Sequence, residues 1–397
     1  MSEPSEDVSQ DERVRYDAIE SPYSIFECVH CDTIILVIGR DKPPMSCHGE
    51  PVEPITESHI DIHPPVIREV LLSAFGLPKA GLGICLCVIG EGPMSANDVA
   101  EALDLESVPD RLIILGGGYI AVELGYYYQS MGAEVVIIEM EETLVPREDA
   151  EIAQQFTDIA SDRHEVYTEH RVTRVEEESG EYRAHTEGPI NPIEIEGDEI
   201  LVSLGCRPNT DRLNLEATSI VTDEHGFTET NEYLETTAEN IWAQGDVAGN
   251  ALFKHSGDYE TQHTIAIAVH SERRAVDLSA LPHVIFTGPQ IAGVGAIEAE
   301  LRENDTTYQI GTSTFPDSSM GRAMKLDHGM MKIMASPEGE LLGAHAIGYE
   351  ASTLMHEVVL AMRTGISVEA FADTIHVHPS LSKIVESAIR DLASAFE

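Results

Sequence analysis

The sequence predicts an α/β protein in which a small cysteine-bearing module precedes a Rossmann-type dinucleotide-binding domain and an α+β C-terminal domain. Three observations carry this reading. Arg111–Leu115 is a short apolar run, Tyr119–Met131 is patterned as a helix and Glu134–Ile138 is apolar again. That order is a βαβ unit and implies a parallel sheet. The turn inside it places Gly116, Gly118 and Ala121 in a GxGxxA pattern. From Pro282 onward, strands near Thr307–Pro316, Met330–Ala335 and Leu341–Ile347 are followed by helices over Ala351–Thr364, Ser367–Ala372 and Ser380–Ala395.

Taken in chain order, residues 1–20 are polar and acidic and are expected to be disordered. They carry no basic n-region and no apolar core, so no signal peptide is expected. The most apolar early run, Gly81 to Gly90, is too short to span a bilayer. A cytoplasmic protein with no membrane association follows as the expectation. Its six cysteines are then expected as metal ligands, redox groups or core residues, not structural disulfides. Residues 21–57 read Cys28-x-x-Cys31, a strand, then Cys47-His48. Thiolates at that spacing with two ligands from a second turn suit tetrahedral zinc. Iron in place of zinc, His30 as the fourth ligand, and simple reduced cysteines are the alternatives. Residues 59–106 read as helical. Ile62–Phe75 is interrupted by Gly76 and Pro78, and Ser95 with Asp98 forms a capping box opening a helix over Ala96–Leu105. Cys85 and Cys87 fall in an apolar run and read as core.

The 397 residues suffice for two or three domains, and 42% hydrophobic content supports sizeable cores. Lys+Arg 24 against Asp+Glu 70 gives a net charge of -46. Such a surface repels nucleic acid and anionic membranes at low salt. The acid is spread along the whole chain, which reads as halophilic adaptation to high internal salt, where screening relieves the self-repulsion.

The glycine turn has a specific chemical logic. Gly116 permits the tight strand-to-helix turn, Gly118 lets a pyrophosphate approach the backbone, and Ala121 keeps helix and strand close. The helix N-terminus meets the phosphates with free N–H groups. Glu139 ends the second strand 23 residues after Gly116, near the roughly 20 expected of the acid that binds a ribose 2′-hydroxyl. A 2′-phosphate would be repelled there, so NADH is favoured over NADPH. Arg147 is the one nearby basic residue that complicates this choice.

From Val108 the chain resembles the pyridine nucleotide–disulfide oxidoreductase family, the group of dihydrolipoyl dehydrogenases, mycothione reductases and glutathione reductases. VPDRLIILGGGYIAVELG with VVIIEMEETLVPREDAEI resembles the NAD domain of dihydrolipoyl dehydrogenases, and ILVSLGCRPNTDRLNLE the strand and turn that close it. TTAENIWAQGDVAG resembles the second flavin motif, whose aspartate is here Asp246. LFKHSGDYE is closer to mycothione reductases. TGPQIAGVG and GRAMKLDHGMMKIMASPEGELLGAHAIG resemble the dimerisation domain, and TIHVHPSL the active-site segment whose histidine, here His378, reaches into the partner subunit. The resemblance implies an NAD(P)-binding domain over 107–205, part of an FAD domain over 206–281 and a dimerisation domain over 282–397. It implies FAD as cofactor, a homodimer, and reduction of a small disulfide or similar acceptor by NAD(P)H through the flavin.

Departures from the family pattern qualify that activity. The family's FAD-binding GxGxxG and redox CxxxxC do not occur in this chain, so FAD is expected to bind weakly and disulfide reduction to be impaired. Lys383 stands where the family has a glutamate that orients the histidine, and at Cys206-Arg207-Pro208, where the family has arginine directly after the glycine, either Arg207 is shifted by one place or Cys206 replaces that arginine. The N-terminal cysteines resemble desulforedoxin-type knuckles, and residues 59–106 the first part of a winged helix-turn-helix. That stretch lacks a reading helix and has two basic residues (Arg68, Lys79) against seven acidic ones. The reading from a different class is a non-catalytic nucleotide-sensing or DNA-associated regulator. Trp242, Tyr126–Tyr128 and His376 read as packing residues, and His255 as a surface-loop residue.

Overall fold

The computed structural model describes residues 107–397 except 190, 191 and 397, together with Ala102, Leu105 and the backbone of five short strands between Tyr23 and Pro54. Those strands are β1 (Tyr23–Glu27), β2 (Ile34–Ile38), β3 (Ser46–Cys47), β4 (Glu50–Pro51) and β5 (Glu53–Pro54). β1 pairs antiparallel with β2 and with β5, and β3 with β4. Cys28, Cys31 and His48, the side chain of Cys47, and most of the stretch read as a winged helix lie outside the described residues.

The chain divides into two compact units. One holds 209–250 and 258–274 with the N-terminal strands; the other holds 87–208, 251–257 and 275–397. Residues 251–257 and 275–281 thus group with the second unit.

In the second unit, β6 (Arg111–Leu115), α1 (Tyr119–Met131) and β7 (Glu134–Ile138) occupy the expected residues. α2 (Ala150–Ser161) leads to β8 (Glu165–Tyr167). A three-stranded antiparallel sheet follows: β9 (Arg171–Glu178), β10 (Glu181–Glu187) and β11 (Ile193–Gly197). β12 (Glu199–Val202) then completes a four-stranded parallel sheet in the order β12-β6-β7-β8. Side chains alternate across a strand, and β6 uses both faces. Ile113 and Leu115 pack with Tyr182, Ala184 and Ile195 of the antiparallel sheet, while Leu112 and Ile114 pack with Ala121, Val122 and Phe156 of α1 and α2. Ala102 and Leu105 join this second core, and the Tyr128 hydroxyl donates to the Ala102 carbonyl. These two residues pack as part of the dinucleotide domain.

α3 spans Lys254–His270; His255 lies in it, not on a loop. The remainder of the second unit is a five-stranded antiparallel sheet. Its strands are β13 (Pro282–Ile285), β14 (Gln290–Gly295), β15 (Gln309–Thr314), β16 (Met330–Ala335) and β17 (Leu341–Gly348), in the order β13-β14-β17-β16-β15. Two short helices, α4 (Glu298–Glu303) and α5 (Ser319–Met324), lie between its strands. α6 (Ala351–Thr364), α7 (Val368–Ala372) and α8 (Ser382–Ser394) close the chain. One face of the sheet buries Val294, Met331, Ile333 and Ala344 against Leu354, Val358, Ile384 and Ile389 of these helices. The other face turns Ile285, Ile291 and Ile347 into the core of the dinucleotide domain. No helix among the described residues is long and apolar enough to cross a membrane.

Candidate dinucleotide site

The glycine turn is shaped by what surrounds it. Gly116 adopts φ +100°, a region that disfavours side chains, and a Cβ there would lie 2.5 Å from the Ser203 carbonyl oxygen. Its N–H donates to the Ile138 carbonyl at 2.8 Å, tying the turn to the end of β7. A Cβ on Gly118 would meet nothing within 4 Å; this is the open side from which a pyrophosphate can reach the backbone. Gly118 caps α1 without a side-chain bond, and the first turn carries no acid. The amide groups and positive dipole end are left for an anion. Ala121 is fully buried, as close helix–strand packing requires.

Glu139 is the acid expected at the end of β7. Its side chain is almost fully buried; Oε2 accepts from the Gly117 N–H at 2.5 Å and Oε1 from the Glu141 N–H at 2.9 Å. Two backbone donors hold the carboxylate beside the glycine turn, and each oxygen keeps acceptor capacity for a ribose hydroxyl. Arg147 is exposed on the following loop.

Asp246, in the first unit, sits on a short 3₁₀ turn over Gly245–Ala248. That turn is pinned by buried Glu260, which accepts from the Gly245 N–H at 2.6 Å and from Asn250 Nδ2 at 3.1 Å. Burial above all pushes the Glu260 carboxyl up, and the neighbouring Asp246 charge adds to this. His378 is exposed and bonds to no described side chain. Lys383 is paired with Glu386, which also accepts from Arg390. The carboxylate-held imidazole of this segment is His376, whose Nε2 lies 3.0 Å from Glu357 Oε2 with the side chain 4% exposed. Its partner lies 19 residues earlier, on α6, which sequence spacing does not reveal. Of the residues expected to pack, Tyr128 is buried but Tyr127 is 51% exposed. His255 bonds through Nε2 to the Pro282 carbonyl and stacks on Phe253. A further group, Glu148 with His283 and His345, escaped sequence reasoning altogether.

Residues 90–275 match the family model described as pyridine nucleotide-disulphide oxidoreductase, and residues 281–389 match its dimerisation domain. A dihydrolipoyl dehydrogenase of Rhizobium etli is 30% identical over 364 residues, 90% of this chain and 73% of that protein. This chain belongs to the pyridine nucleotide-disulphide oxidoreductase family. Its match begins before the glycine turn and includes Ala102 and Leu105, in agreement with their packing. The dihydrolipoyl dehydrogenase of Vibrio parahaemolyticus is 32% identical over 306 residues, 74% of this chain. The chain spans 64% of the length of that relative. Among solved structures, the HOCl-induced flavoprotein disulfide reductase RclA of Escherichia coli superposes with a TM-score of 0.69 at 28% identity, covering 79% of this chain and 72% of RclA. The LpdA protein of Mycobacterium tuberculosis, at 23% identity and TM-score 0.68 over 74% of this chain and 64% of LpdA, bears on the fold alone.

Proposed function

We propose that this chain is an NADH-preferring, FAD-dependent oxidoreductase that assembles as a homodimer and is impaired in disulfide reduction. The observation that carries the cofactor choice is the Glu139 carboxylate, held by the Gly117 and Glu141 amides beside the pyrophosphate turn. An anion in that place accepts hydrogen bonds from a ribose 2′-hydroxyl and repels a 2′-phosphate. Gly116, Gly118 and Ala121 bring the backbone and the α1 N-terminus to the diphosphate. FAD, when bound, would accept the hydride of NADH, and Asp246 would offer a carboxylate to the ribitol chain of the flavin. His378 is the proposed proton carrier, with Lys383 where the family has the glutamate that orients it. Cys28, Cys31, Cys47 and His48 are proposed to hold zinc, the charge of -46 supports salt adaptation, and a cytoplasmic location is part of the same proposal. The regulatory alternative is not favoured, because both family matches are to oxidoreductase domains.

Calorimetric titration with NADH and NADPH in molar KCl tests the proposal. Tighter NADH binding supports it, and tighter NADPH binding overturns the cofactor assignment. A yellow purified protein with stoichiometric FAD supports the flavoprotein reading; failure to bind added FAD overturns that part.

A further inference from the structure

Four residues form one row across the C-terminal sheet. His283 on β13 is opposite Gly293 on β14, Gly293 is opposite His345 on β17, and His345 is opposite Lys332 on β16. Partners in a sheet project to the same face. Two positions along the same strands, Ile285, Ile291, Ile347 and Met330 pack into the dinucleotide-domain core, so the row faces that domain. It meets Glu148 and Asp149, just before α2. Lys332 is satisfied by Asp149 at 3.0 Å and Glu298 at 2.6 Å. The two histidines belong with Glu148, whose side chain is fully buried. His283 Nε2 lies 2.9 Å from Glu148 Oε2, and one nitrogen or oxygen from each of the three residues falls within 4.8 Å of the others.

His345 supplies the observation that points to a ligand. It is 0% exposed, and its Nε2 lies 2.9 Å from the Ala296 carbonyl oxygen. Donation to that carbonyl puts the proton on Nε2 and a lone pair on Nδ1. Nδ1 is buried and has no hydrogen-bond partner, an uncommon state for a polar atom in a protein interior. Burial also favours the neutral ring. A Cβ at Gly293 would stand 2.6 Å from His283 Nε2 and 2.7 Å from His345 Nδ1. Glycine there keeps the gap between the two nitrogens open. Glu148 is oriented in turn, because its Oε1 accepts from the Tyr119 hydroxyl at 2.5 Å.

We propose that Glu148, His283 and His345 bind a divalent transition-metal ion of the zinc type, through Oε2, Nε2 and Nδ1. Two imidazoles and a carboxylate are a zinc ligand set and leave a fourth position for water. The Ala296 carbonyl and the Tyr119 hydroxyl orient the ligands from behind. The ion fastens the segment before α2 to β13 and β17. Through Tyr119, the first residue of α1, it also supports the dinucleotide turn.

The test separates this site from the N-terminal cysteines. The full chain carrying Cys28→Ser and Cys31→Ser is stripped with chelator and titrated with Zn²⁺ against a chromophoric competitor. One equivalent is expected, with a rise in melting temperature on loading. Adding Glu148→Gln, which keeps the side-chain volume and the Tyr119 contact, or His283→Gln, at the half-buried edge, should weaken binding by more than about 100-fold, beyond the 10–100-fold typical of outer-layer changes. Co²⁺ in the same site should give a d–d spectrum without thiolate charge transfer. No zinc bound by the cysteine variant at micromolar free metal overturns the proposal. Zinc binding that survives both added substitutions overturns it as well, by locating the metal elsewhere.

Discussion

Glu139 holds the Gly117 amide, and in the proposed cofactor assignment it also presents oxygen to a ribose. Glu139→Ala is therefore expected to weaken NADH by about 1.5–3 kcal/mol, the worth of hydrogen bonds to a charged group, while NADPH changes less. Calorimetry on both nucleotides reads this out, and an unchanged NADH/NADPH ratio would contradict the assigned role. His164 carries a pH prediction. Burial first, then the Arg163 charge, holds its imidazole below the ordinary value, and its Nδ1 is buried without a partner. Below about pH 6.5 the unfolded chain takes a proton at this residue that the folded chain resists. Its contribution to stability is whole above that pH and declines as pH falls toward the folded-state value. His164→Gln should flatten the loss of stability between about pH 7 and about pH 5, measured by denaturant titration at each pH. An unaltered slope would assign the loss to other groups. Neither effect is visible in the isolated residue type; both come from what buries it.

At the scale of elements, β16 is tied to two helix starts by one cation. Lys332 is 1% exposed and contacts Asp149, the N-cap of α2, and Glu298 in the first turn of α4. Burial alone would lower the Lys332 pKa, but its hydrogen bonds to Glu298 and Asp149 outweigh this and raise it. Burial pushes Glu298 up, yet the bonds from Lys332 and Tyr308 prevail and hold it low. Lys332→Met leaves two carboxylates facing each other without their cation and is expected to destabilise the fold by about 3–5 kcal/mol. Urea denaturation measures this, and a loss under about 1 kcal/mol would place the pair with the weak, solvent-screened class. Elements with a clean period were legible in the sequence: β6, α1, β7, β16 and α6 occupy the residues expected. β9 and β10 were not, because RVTRVEEE and EYRAHTE are mostly polar or charged. α3 was missed because its apolar residues gather toward its C-terminal end instead of forming a stripe.

At the scale of the molecule, the C-terminal domain matches a dimerisation domain and exposes Leu360 at 62%, Ile375 at 96% and Val377 at 73%. Large exposed apolar side chains mark a surface that another copy covers. Light scattering in molar KCl, where the charge of -46 is screened, should give a dimer, and Ile375→Asp with Val377→Asp should shift it toward monomer. A wild-type monomer would refute the assignment. The chain is also expected not to turn over disulfides. Disulfide reduction needs a thiolate attacking a sulfur and a second thiol to resolve it. No CxxxxC occurs in the sequence, and Cys206 is a single half-buried thiol. Lipoamide and glutathione disulfide with NADH and added FAD should give rates far below an ordinary enzyme's, on the order of 10 s⁻¹. Turnover near that rate, lost in Cys206→Ser, would reveal a dithiol assembled in another way.

The glycine turn and the acid at the end of β7 could be read from the chain alone, because Gly116 to Glu139 spans one βαβ unit whose geometry is set by local periodicity and glycine stereochemistry. The same holds for the family signature, which runs in order along the sequence. Only the tertiary structure brought His283 to Glu148 across 135 residues and His345 to both. That meeting depends on the registers of β13, β14 and β17. A shift of one residue in any of them would turn its histidine or glycine to the opposite face, and no spacing in the sequence encodes that register.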